Sequence, residues 1–465
     1  MDPQSSSRRW WALASVAAAQ FIAVADAFIV NVALPSIRVD LSANAGEIEA
    51  IVAVYQIAYA ALMITGGRLG DIVGRKLVFI LGVLGFTLAS LWCGLSDSAL
   101  MLIVARATQG AAAALMVPQV LASIHTLFPD AARARAFALF GVAIGLGAAV
   151  GFMLGGWLVT LNVAGLGWRA IFFVNVPIGF GIVLATGWLM PSMPRHPETR
   201  LDLRGATVLF AGLIGLLVPL MFGRELGWPW WSWVAIAAGI ALLIGFPRLQ
   251  RAIEQGGGVP LIDLALLQDR IFAAGMGATF SFFLGNLSFY FVLTMYVQGG
   301  LGFSPSEAAL TVLPMSFAFV AGSRVAGRLI EGCFVQGIGL IGTAVLVATG
   351  PQPGMALLML PLAVFGYGQG MVLTQLFSAV LVQVRHAHAG SGAGILATTQ
   401  QVANGAGVVV IGAAYFTMQH WRGEPWAFLG AAAALTCTTL ATAGFLQRMQ
   451  TTYGSANPAR VPEMR

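Results

Sequence analysis

The sequence predicts an all-α integral membrane protein of about fourteen transmembrane helices, with two six-helix bundles and two extra central helices between them. Three observations lead to this prediction: an apolar composition, a regular series of long apolar runs, and a short motif that occurs twice. Of the 465 residues, 58% are hydrophobic and only 9% are charged, whereas a soluble domain carries about 25% charged residues. Most helices would have no polar face, so lipid must be the solvent for much of the surface.

Apolar runs without charge, separated by charged or Gly/Pro-rich segments, mark the predicted helices. Each run is close to the ~20 residues that a helix needs to cross ~30 Å of hydrocarbon. The predicted spans are residues 11–36, 48–67, 77–96, 99–121, 136–161, 169–190, 204–223, 230–247, 271–297, 306–326, 335–350, 355–380, 391–416 and 426–447. They divide the chain into an N-terminal bundle (1–195), two linker helices (196–265) and a C-terminal bundle with a cytoplasmic tail (266–465).

The distribution of basic residues predicts the orientation of these spans. When successive loops are assigned to alternate sides, most of the 24 lysine and arginine residues fall on the side of the N-terminus. The opposite side receives only Arg38, Arg169, Arg224 and Arg422. This is the asymmetry of the positive-inside rule, and it places both termini in the cytoplasm. The basic charge is therefore a topology signal, and we expect no nucleic-acid partner.

A five-residue motif occurs at equivalent places in the two predicted bundles. GRLGD (67–71) follows the second span, and GRLIE (327–331) follows the tenth. Both are predicted to lie in cytoplasmic loops. Two related halves that rock around a site at the middle of the membrane are typical of secondary transporters, whereas a channel or a receptor does not need the duplication.

Several further motifs lie along the chain in a fixed order. They are DAFIVNVALP (26–35), GRLGDIVGRK (67–76), WRAIFFVNVPIG (168–179), LDLRGA (201–206), Gly-Phe-Ser-Pro (302–305) and GSGAGILATTQQVANGAG (390–407). Together they resemble the major facilitator superfamily, and specifically its fourteen-helix drug:proton antiporter branch. The resemblance covers nearly the whole chain. It implies an exporter in the bacterial inner membrane that exchanges cytoplasmic drugs or metabolites for protons, with no cofactor.

The fifth predicted helix departs from the family pattern at one position. The family motif there usually ends GPxxGG, but Gly151 is followed by Phe152 instead of proline. The glycines Gly147, Gly151, Gly155 and Gly156 keep the small-residue spacing that lets two helices approach closely. They predict either tight packing or a sliding surface, and the two interpretations are compatible.

Two ionisable side chains are predicted to lie deep in the bilayer, Asp26 in the first span and Arg106 in the fourth. Such charges are costly to insert, so each is a functional hypothesis. At 1.5 Å per residue, Asp26 lies ~22 Å from the inner end of its span and Arg106 ~11 Å from the outer end of its own. In a core of ~30 Å these depths nearly coincide, so the two side chains could face each other.

Opposing effects on Asp26 would make this pair a device for proton coupling. Desolvation favours a protonated carboxyl, while a neighbouring guanidinium favours the carboxylate. A change in their separation would then load and release a proton. The resemblance assigns the same role to Arg106 and Gln109, in the motif RATQG (106–110). The alternative is a static pair that fixes helix packing.

The resemblance also assigns a role to the motif after the second span. Gly67, Asp71, Gly74 and Arg75 would form a conformational latch, with Asp71 and Arg75 as its charged members. By composition alone, these two charges could simply be solvated.

Polar and aromatic residues within the spans are candidates for a substrate cavity. Such cavities are mostly apolar with a few polar groups, although buried amides often only join helices. The candidates are Asn31, Tyr55, Gln56, Tyr59, Gln119, Asn286, Tyr290, Phe291, Tyr296, Gln369, Gln375, Gln400 and Asn404. Because Asp26 is the only carboxylate predicted to lie deep in the spans, we expect neutral, anionic or at most monocationic substrates.

The leading hypothesis is a proton-coupled exporter of amphiphilic drugs or metabolites that acts as a monomer. One alternative is a transporter for a single metabolite, which could be an importer. Another is a membrane sensor that uses the same scaffold without transporting anything. No constellation of nucleophile, acid and base is present in the sequence, so we expect neither an enzyme nor a metal site.

Overall fold

The computed structural model describes residues 3–128, 130–191, 201–262, 264–325, 327–350, 353–381 and 389–456. Within these ranges every regular element is helical. The helices of the first part of the chain are α1 (Pro3–Asp40), α2 (Ala45–Val73), α3 (Arg75–Gly94), α4 (Ala99–Leu127), α5 (Asp130–Leu161), α6 (Ala170–Phe173), α7 (Asn175–Leu189), α8 (Leu203–Phe222) and α9 (Trp230–Gln255). They are followed by α10 (Leu264–Gln268), α11 (Arg270–Met295), α12 (Pro305–Gly322), α13 (Leu329–Thr349), α14 (Met355–Leu381), α15 (Ala389–Arg422) and α16 (Glu424–Ala456).

The number of long helices agrees with the predicted fourteen spans. Thirteen helical segments among the described residues are long and apolar enough to cross a membrane. The span predicted over 306–326 corresponds to α12, which has 18 residues, carries Glu307 in its first turn and is not among the thirteen. The span predicted over 169–190 corresponds to one segment, Gly167–Leu189, that is long and apolar enough to cross a membrane, but it has a turn at Val174, between α6 and α7.

The prediction that both copies of the repeated motif lie in loops is wrong. GRLGD (67–71) forms the last turns of α2, which continues to Val73, and the last residues of GRLIE (327–331) begin α13. The α2 helix continues because nothing before Gly74 prevents a helical backbone. Gly74 itself adopts φ 120°, a conformation that favours glycine, and there the chain turns into α3.

The chain divides into two compact units, Met1–Leu261 and Ile262–Arg465. In the first unit α1 packs on α5, and both α2 and α3 pack on α4. In the second unit α11 packs on α15, and both α12 and α13 pack on α14, so the same arrangement occurs twice. The linker helices α8 and α9 pack on each other, and α8 also packs on α2.

The repeat extends to single contacts between equivalent helices. A Cβ on Gly110 of α4 would overlap the carbonyl oxygen of Tyr55 of α2, and a Cβ on Gly366 of α14 would overlap that of Met315 of α12. Nine residues further along each helix, a glutamine binds the backbone of the partner helix or of the segment that follows it. Gln119 donates to the carbonyl oxygen of Gly66 at 2.8 Å, whereas Gln375 donates to the carbonyl oxygen of Val325 and accepts from the amide of Gly327 at 2.5 Å.

Equivalent capping boxes begin α2 and α12. The Asn44 side chain accepts from the amide of Glu47 at 2.9 Å, and the Glu47 side chain accepts from the amide of Asn44 at 2.8 Å. Ser304 and Glu307 make the same reciprocal pair at the start of α12. Each box satisfies amide groups that have no partner within the helix, so the two acids are accounted for as helix caps.

The close contact between α2 and α4 makes a prediction about stability. Gly110→Ala adds a methyl group where the Tyr55 carbonyl already lies, and such overpacking costs about 1–3 kcal/mol. Gly145→Ala, on α5, is the matched control, since nothing lies within 4 Å of the Cβ position. Both variants gain the same helix propensity, about 1 kcal/mol.

We expect Gly110→Ala to lower the melting temperature of the purified protein in detergent, followed by tryptophan fluorescence, and Gly145→Ala to leave it unchanged or raise it. Equal melting temperatures for the two variants would contradict the close contact.

Candidate functional site

The site is built on α1, which lies directly against α5. Three of the glycines that were predicted to allow a close helix contact lie at this α1–α5 interface. In each case a Cβ would lie 3.0 Å or less from a carbonyl oxygen of α1. The contacts pair Gly147 with Phe21, Gly151 with Ala25 and Gly155 with Ile29. These contacts lie on both sides of Asp26 in the chain and hold this part of α1 against α5.

Phe152 stands where the family motif usually has proline. Its side chain is 3% exposed, and its ring lies 6.0 Å from that of Phe28 on α1. The α5 helix runs through this position from Asp130 to Leu161. The next glycine of the motif, Gly156, is also buried. Phe152 therefore adds an aromatic contact to the α1–α5 interface.

Asp26 and Arg106 form a buried ion pair. An Nη1 atom of Arg106 donates to Oδ2 of Asp26 at 2.5 Å, and each residue is only 1% exposed. The sequence estimate that the two side chains lie at similar depth is thereby confirmed.

Two amide side chains complete the coordination of the Asp26 carboxylate. Gln109 and Asn175 each donate to Oδ1 at 2.9 Å, and Gln109 also accepts from Arg106 at 2.6 Å. The carboxylate thus receives three hydrogen bonds, which is what a buried charge needs in order to be tolerated. The donors come from α4 and α7, so Asp26 holds three helices of the first unit together.

The guanidinium has its own set of partners on α2. Arg106 Nε donates to the carbonyl oxygen of Ile51 at 3.3 Å, and the guanidinium lies over the Tyr55 ring, 4.3 Å from its centroid. A cation over an aromatic face is favourable, more so when both are desolvated. Arg106 therefore connects Asp26 on α1 to the backbone of α2.

Two members of this network, Asn175 and Ser90, were not predicted from the sequence. Asn175 lies in the motif WRAIFFVNVPIG (168–179) but carries no charge that would single it out. Its Nδ2 also lies 3.1 Å from the hydroxyl oxygen of Ser90 on α3, and Ser90 donates to the carbonyl oxygen of Phe172 at 3.0 Å. The turn at Val174 separates α6 from α7, so Asn175 is the first residue of α7.

The second unit keeps the helix contact but not the charge. A Cβ on Gly407 of α15 would overlap the carbonyl oxygen of Leu284 on α11, as Gly151 approaches Ala25. Gly285 follows Leu284 where Asp26 follows Ala25. It lines a small cavity, together with Phe282, Gln336, Phe365, Leu435, Thr438, Thr439 and Thr442.

The four predicted latch residues lie at the junction of α2, α3 and α4. Arg75 pairs with Asp71 at 2.9 Å, and it also donates to the hydroxyl oxygen of Thr126 at 2.7 Å. Gly74 makes the turn that brings the two charges together. Gly67 lies against Pro118 at an ordinary contact distance of 3.5 Å. Arg75 thus joins the end of α2 to the end of α4.

A neighbouring arginine of the same motif holds the segment that follows the linker helices. Arg68 donates to the carbonyl oxygens of Val259 at 3.1 Å and Pro260 at 2.5 Å. Asp202, in the motif LDLRGA (201–206), caps α8 and accepts from Gln250 of α9 at 2.8 Å and from the amide of Leu261 at 3.1 Å. These bonds anchor α8, α9 and the segment after them to α2.

The cavity candidates of the first unit are largely buried. Asn31 bonds to its own helix at 2.9 Å, and the rings of Tyr55 and Tyr59 meet edge to face at 6.1 Å. Gln56 is 3% exposed, and the amide of Gln119 is engaged with the α2 backbone.

In the second unit, the hydroxyl group of Tyr290 donates to Gln369 at 3.2 Å. Asn404 is 8% exposed and donates to Gln401 at 3.3 Å. The remaining candidates are the buried Asn286, Phe291 and Tyr296, the half-buried Gln400, and Gln375, which binds the segment after α12. Their contact with a substrate stays a prediction.

Several bacterial proteins are similar in sequence to this chain. A probable actinorhodin transporter of Streptomyces coelicolor is 38% identical over 425 residues, which are 89% of this chain and 74% of that protein. The Puromycin resistance protein pur8 of Streptomyces alboniger is 30% identical over 418 residues, which are 87% of this chain and 81% of that protein.

Solved structures share the fold. A structure described as an auto-inhibited POT family peptide transporter superposes with a TM-score of 0.67 at 18% identity, over 95% of this chain and 97% of that one. The family model of the Major Facilitator Superfamily matches residues 16–408. The expected family and fold are thus confirmed. Members of this family are membrane transporters, so the protein is a transporter and not an enzyme. This chain belongs to the Major Facilitator Superfamily.

Proposed function

We propose that the protein exports amphiphilic antibiotics or related metabolites from the cytoplasm in exchange for protons. The observation that carries the proposal is the buried pair of Asp26 and Arg106, bound by Gln109 and Asn175. The names of the similar proteins, a probable actinorhodin transporter and a puromycin resistance protein, support export and the class of substrate. We place the protein in the bacterial cytoplasmic membrane, as a monomer with both termini in the cytoplasm.

Proton binding at Asp26 would change how the helices of the first unit are held. A proton on the carboxyl group removes the charge that binds Arg106, so the guanidinium loses its partner and is drawn to another position or to water. Because Arg106 also binds the α2 backbone at Ile51, the loss is transmitted to α2. The two protonation states thus favour different arrangements of α1, α2, α4 and α7, which is what coupling requires.

The α1–α5 contact would act as a rigid support during this change. Backbones that approach through glycine have no side chains between them, so the two helices move as one body or slide along a smooth surface. The carboxylate is next to this contact, at the residue after Ala25, so its position changes little while its partners rearrange.

The cluster around Arg75 would set the balance between two conformations. Its bonds to Asp71 and Thr126 connect α2 to α4 at the membrane surface. Breaking these bonds would change the relative stability of the two conformations but would leave the contacts of Asp26 unchanged. Gly74 permits the tight turn that the cluster requires.

The first prediction concerns coupling. In liposomes that contain the purified protein and an internal pH dye, a puromycin or ethidium gradient should drive proton movement. Asp26→Asn should abolish this proton movement, because an amide cannot change its charge and so cannot alternately hold and release Arg106 and, through it, α2. It should retain exchange of labelled puromycin for unlabelled puromycin, which needs no net proton transfer.

Asp40→Asn is the matched control, since Asp40 is on the same helix but binds Trp168 and Arg169 at 2.8 and 2.7 Å. It should keep proton movement. Proton flux that survives Asp26→Asn would move the coupling site elsewhere. Absence of proton flux with every compound would favour a transporter for a single metabolite or a sensor.

The second prediction concerns the latch. Arg75→Gln should slow both puromycin exchange and proton-coupled transport, but the number of protons moved per puromycin should not change. Lys76→Gln is the neighbouring control, since Lys76 donates to the carbonyl oxygen of Gly187 at 2.8 Å and lies outside the cluster. A changed proton ratio in Arg75→Gln, or an equal loss of rate in Lys76→Gln, would argue against a latch.

The third prediction concerns substrate charge. Asp26 is already bound to Arg106, so its charge is not available to a cationic substrate. A dication needs compensating negative charge when it leaves water. A bis-quaternary ammonium compound should therefore be transported more slowly than monocationic ethidium in the same liposomes, and equal rates would refute the inference.

A further inference from the structure

A second acidic side chain is completely buried in the first unit. Glu49 lies on α2, one turn after Ala45, and is 0% exposed. The α8 helix covers this part of α2, since a Cβ on Gly46 would lie 2.6 Å from the carbonyl oxygen of Met221. Gly46 and Glu49 lie three residues apart and therefore share this face of α2. The sequence places Glu49 near the end of a span but does not reveal that α8 buries it.

The Glu49 carboxyl has no hydrogen bond from the described part of the chain. Both of its oxygens are buried without a hydrogen-bond partner. The nearest cation is Arg224, just beyond α8, whose Nη2 is 3.7 Å from Oε1 of Glu49 and 3.5 Å from the Glu225 carboxylate. These separations exceed good hydrogen-bond distances. A buried carboxylate in this position is unfavourable, whereas a protonated carboxyl carries no charge to compensate.

Other charged groups near α2 are engaged elsewhere or lie at the far end. On α4, Arg106 is bound to Asp26. At the end of α1, Asp40 is bound by Arg169, and Arg38 is close by in the chain. The charged residues of α3, Arg75 and Lys76, are in its first turn, next to the opposite end of α2. Arg224 lies beside Glu49, and Glu225 lies beside Arg224.

We propose that Glu49 is a second proton-binding carboxyl of this transporter, protonated while α8 covers it and ionised when Arg224 moves onto it. The proposal rests on the proposed function. A shift of about 1 Å brings Arg224 within hydrogen-bond distance. The O–H bond then breaks, its electron pair remains on the carboxylate, and the proton passes to water on the side of the α1–α2 loop.

The position of Glu49 connects it to the Asp26 site. Two residues further along α2, the Ile51 carbonyl oxygen accepts from Arg106 at 3.3 Å. A displacement of the first turns of α2 therefore acts on both carboxyl groups. The α8 helix becomes part of the coupling machinery through this contact.

The protonation of Glu49 is tested by infrared spectroscopy of the full-length protein in lipid, with all glutamate carboxyl groups labelled with carbon-13. We expect a carbonyl-stretching band of a protonated carboxyl in apolar surroundings at neutral pH, shifted by the label. Glu49→Gln should remove this band, while Glu47→Gln and Asp26→Asn should keep it. Glu49→Met, which is of similar length and uncharged, serves as the second variant if the first is unstable.

A transport measurement tests whether the site is used. In the liposome assay with ethidium, Glu49→Gln should lower the number of protons moved per ethidium, while Glu47→Gln leaves it unchanged. A label-sensitive band that persists in Glu49→Gln, or a proton ratio equal to that of the wild type, overturns the proposal. If the wild type moves no protons with ethidium, the proposed function fails for this compound, and the infrared result alone decides the protonation of Glu49.

Discussion

The buried ion pair of Asp26 and Arg106 is the interaction on which the first unit depends. It is tolerable in a low-dielectric interior only because every oxygen of the carboxylate has a donor. Those donors come from α4 and α7, while Arg106 continues the network to the α2 backbone. One carboxyl group therefore helps to set the mutual positions of α1, α2, α4 and α7, and a change in its charge alters the contacts of all four helices.

The two units share a framework but differ in chemistry. In both, glycine brings equivalent helices together so closely that a methyl group would overlap a carbonyl oxygen. Phe365 precedes Gly366 where Gln109 precedes Gly110, and it stacks on Phe289 with ring centroids 3.9 Å apart. Aromatic packing in the second unit thus replaces the polar network of the first. Duplication preserved the backbone contacts, and the charged function was confined to one copy.

The sequence predicted the framework and the central pair, because both depend on one-dimensional patterns. Apolar length gives the spans, and depth along two antiparallel helices places Asp26 opposite Arg106. The partners Asn175 and Ser90 could not be predicted, since neutral polar residues are common in membrane helices and only packing decides which of them meet. Glu49 was missed for a related reason: its burial is produced by α8, and hydropathy cannot tell whether a helix end is covered by protein or by water.

The linker helices α8 and α9 could not be removed from this protein without disturbing α2. Arg68 and Asp202 fasten α8, α9 and the segment after them to α2, and α8 covers Glu49. Excision of this helical pair would uncover Glu49 and would remove the Val259 and Pro260 acceptors of Arg68. The residues of α2 that α8 covers therefore depend on the linker helices, and a chain without these helices would need other residues at those positions.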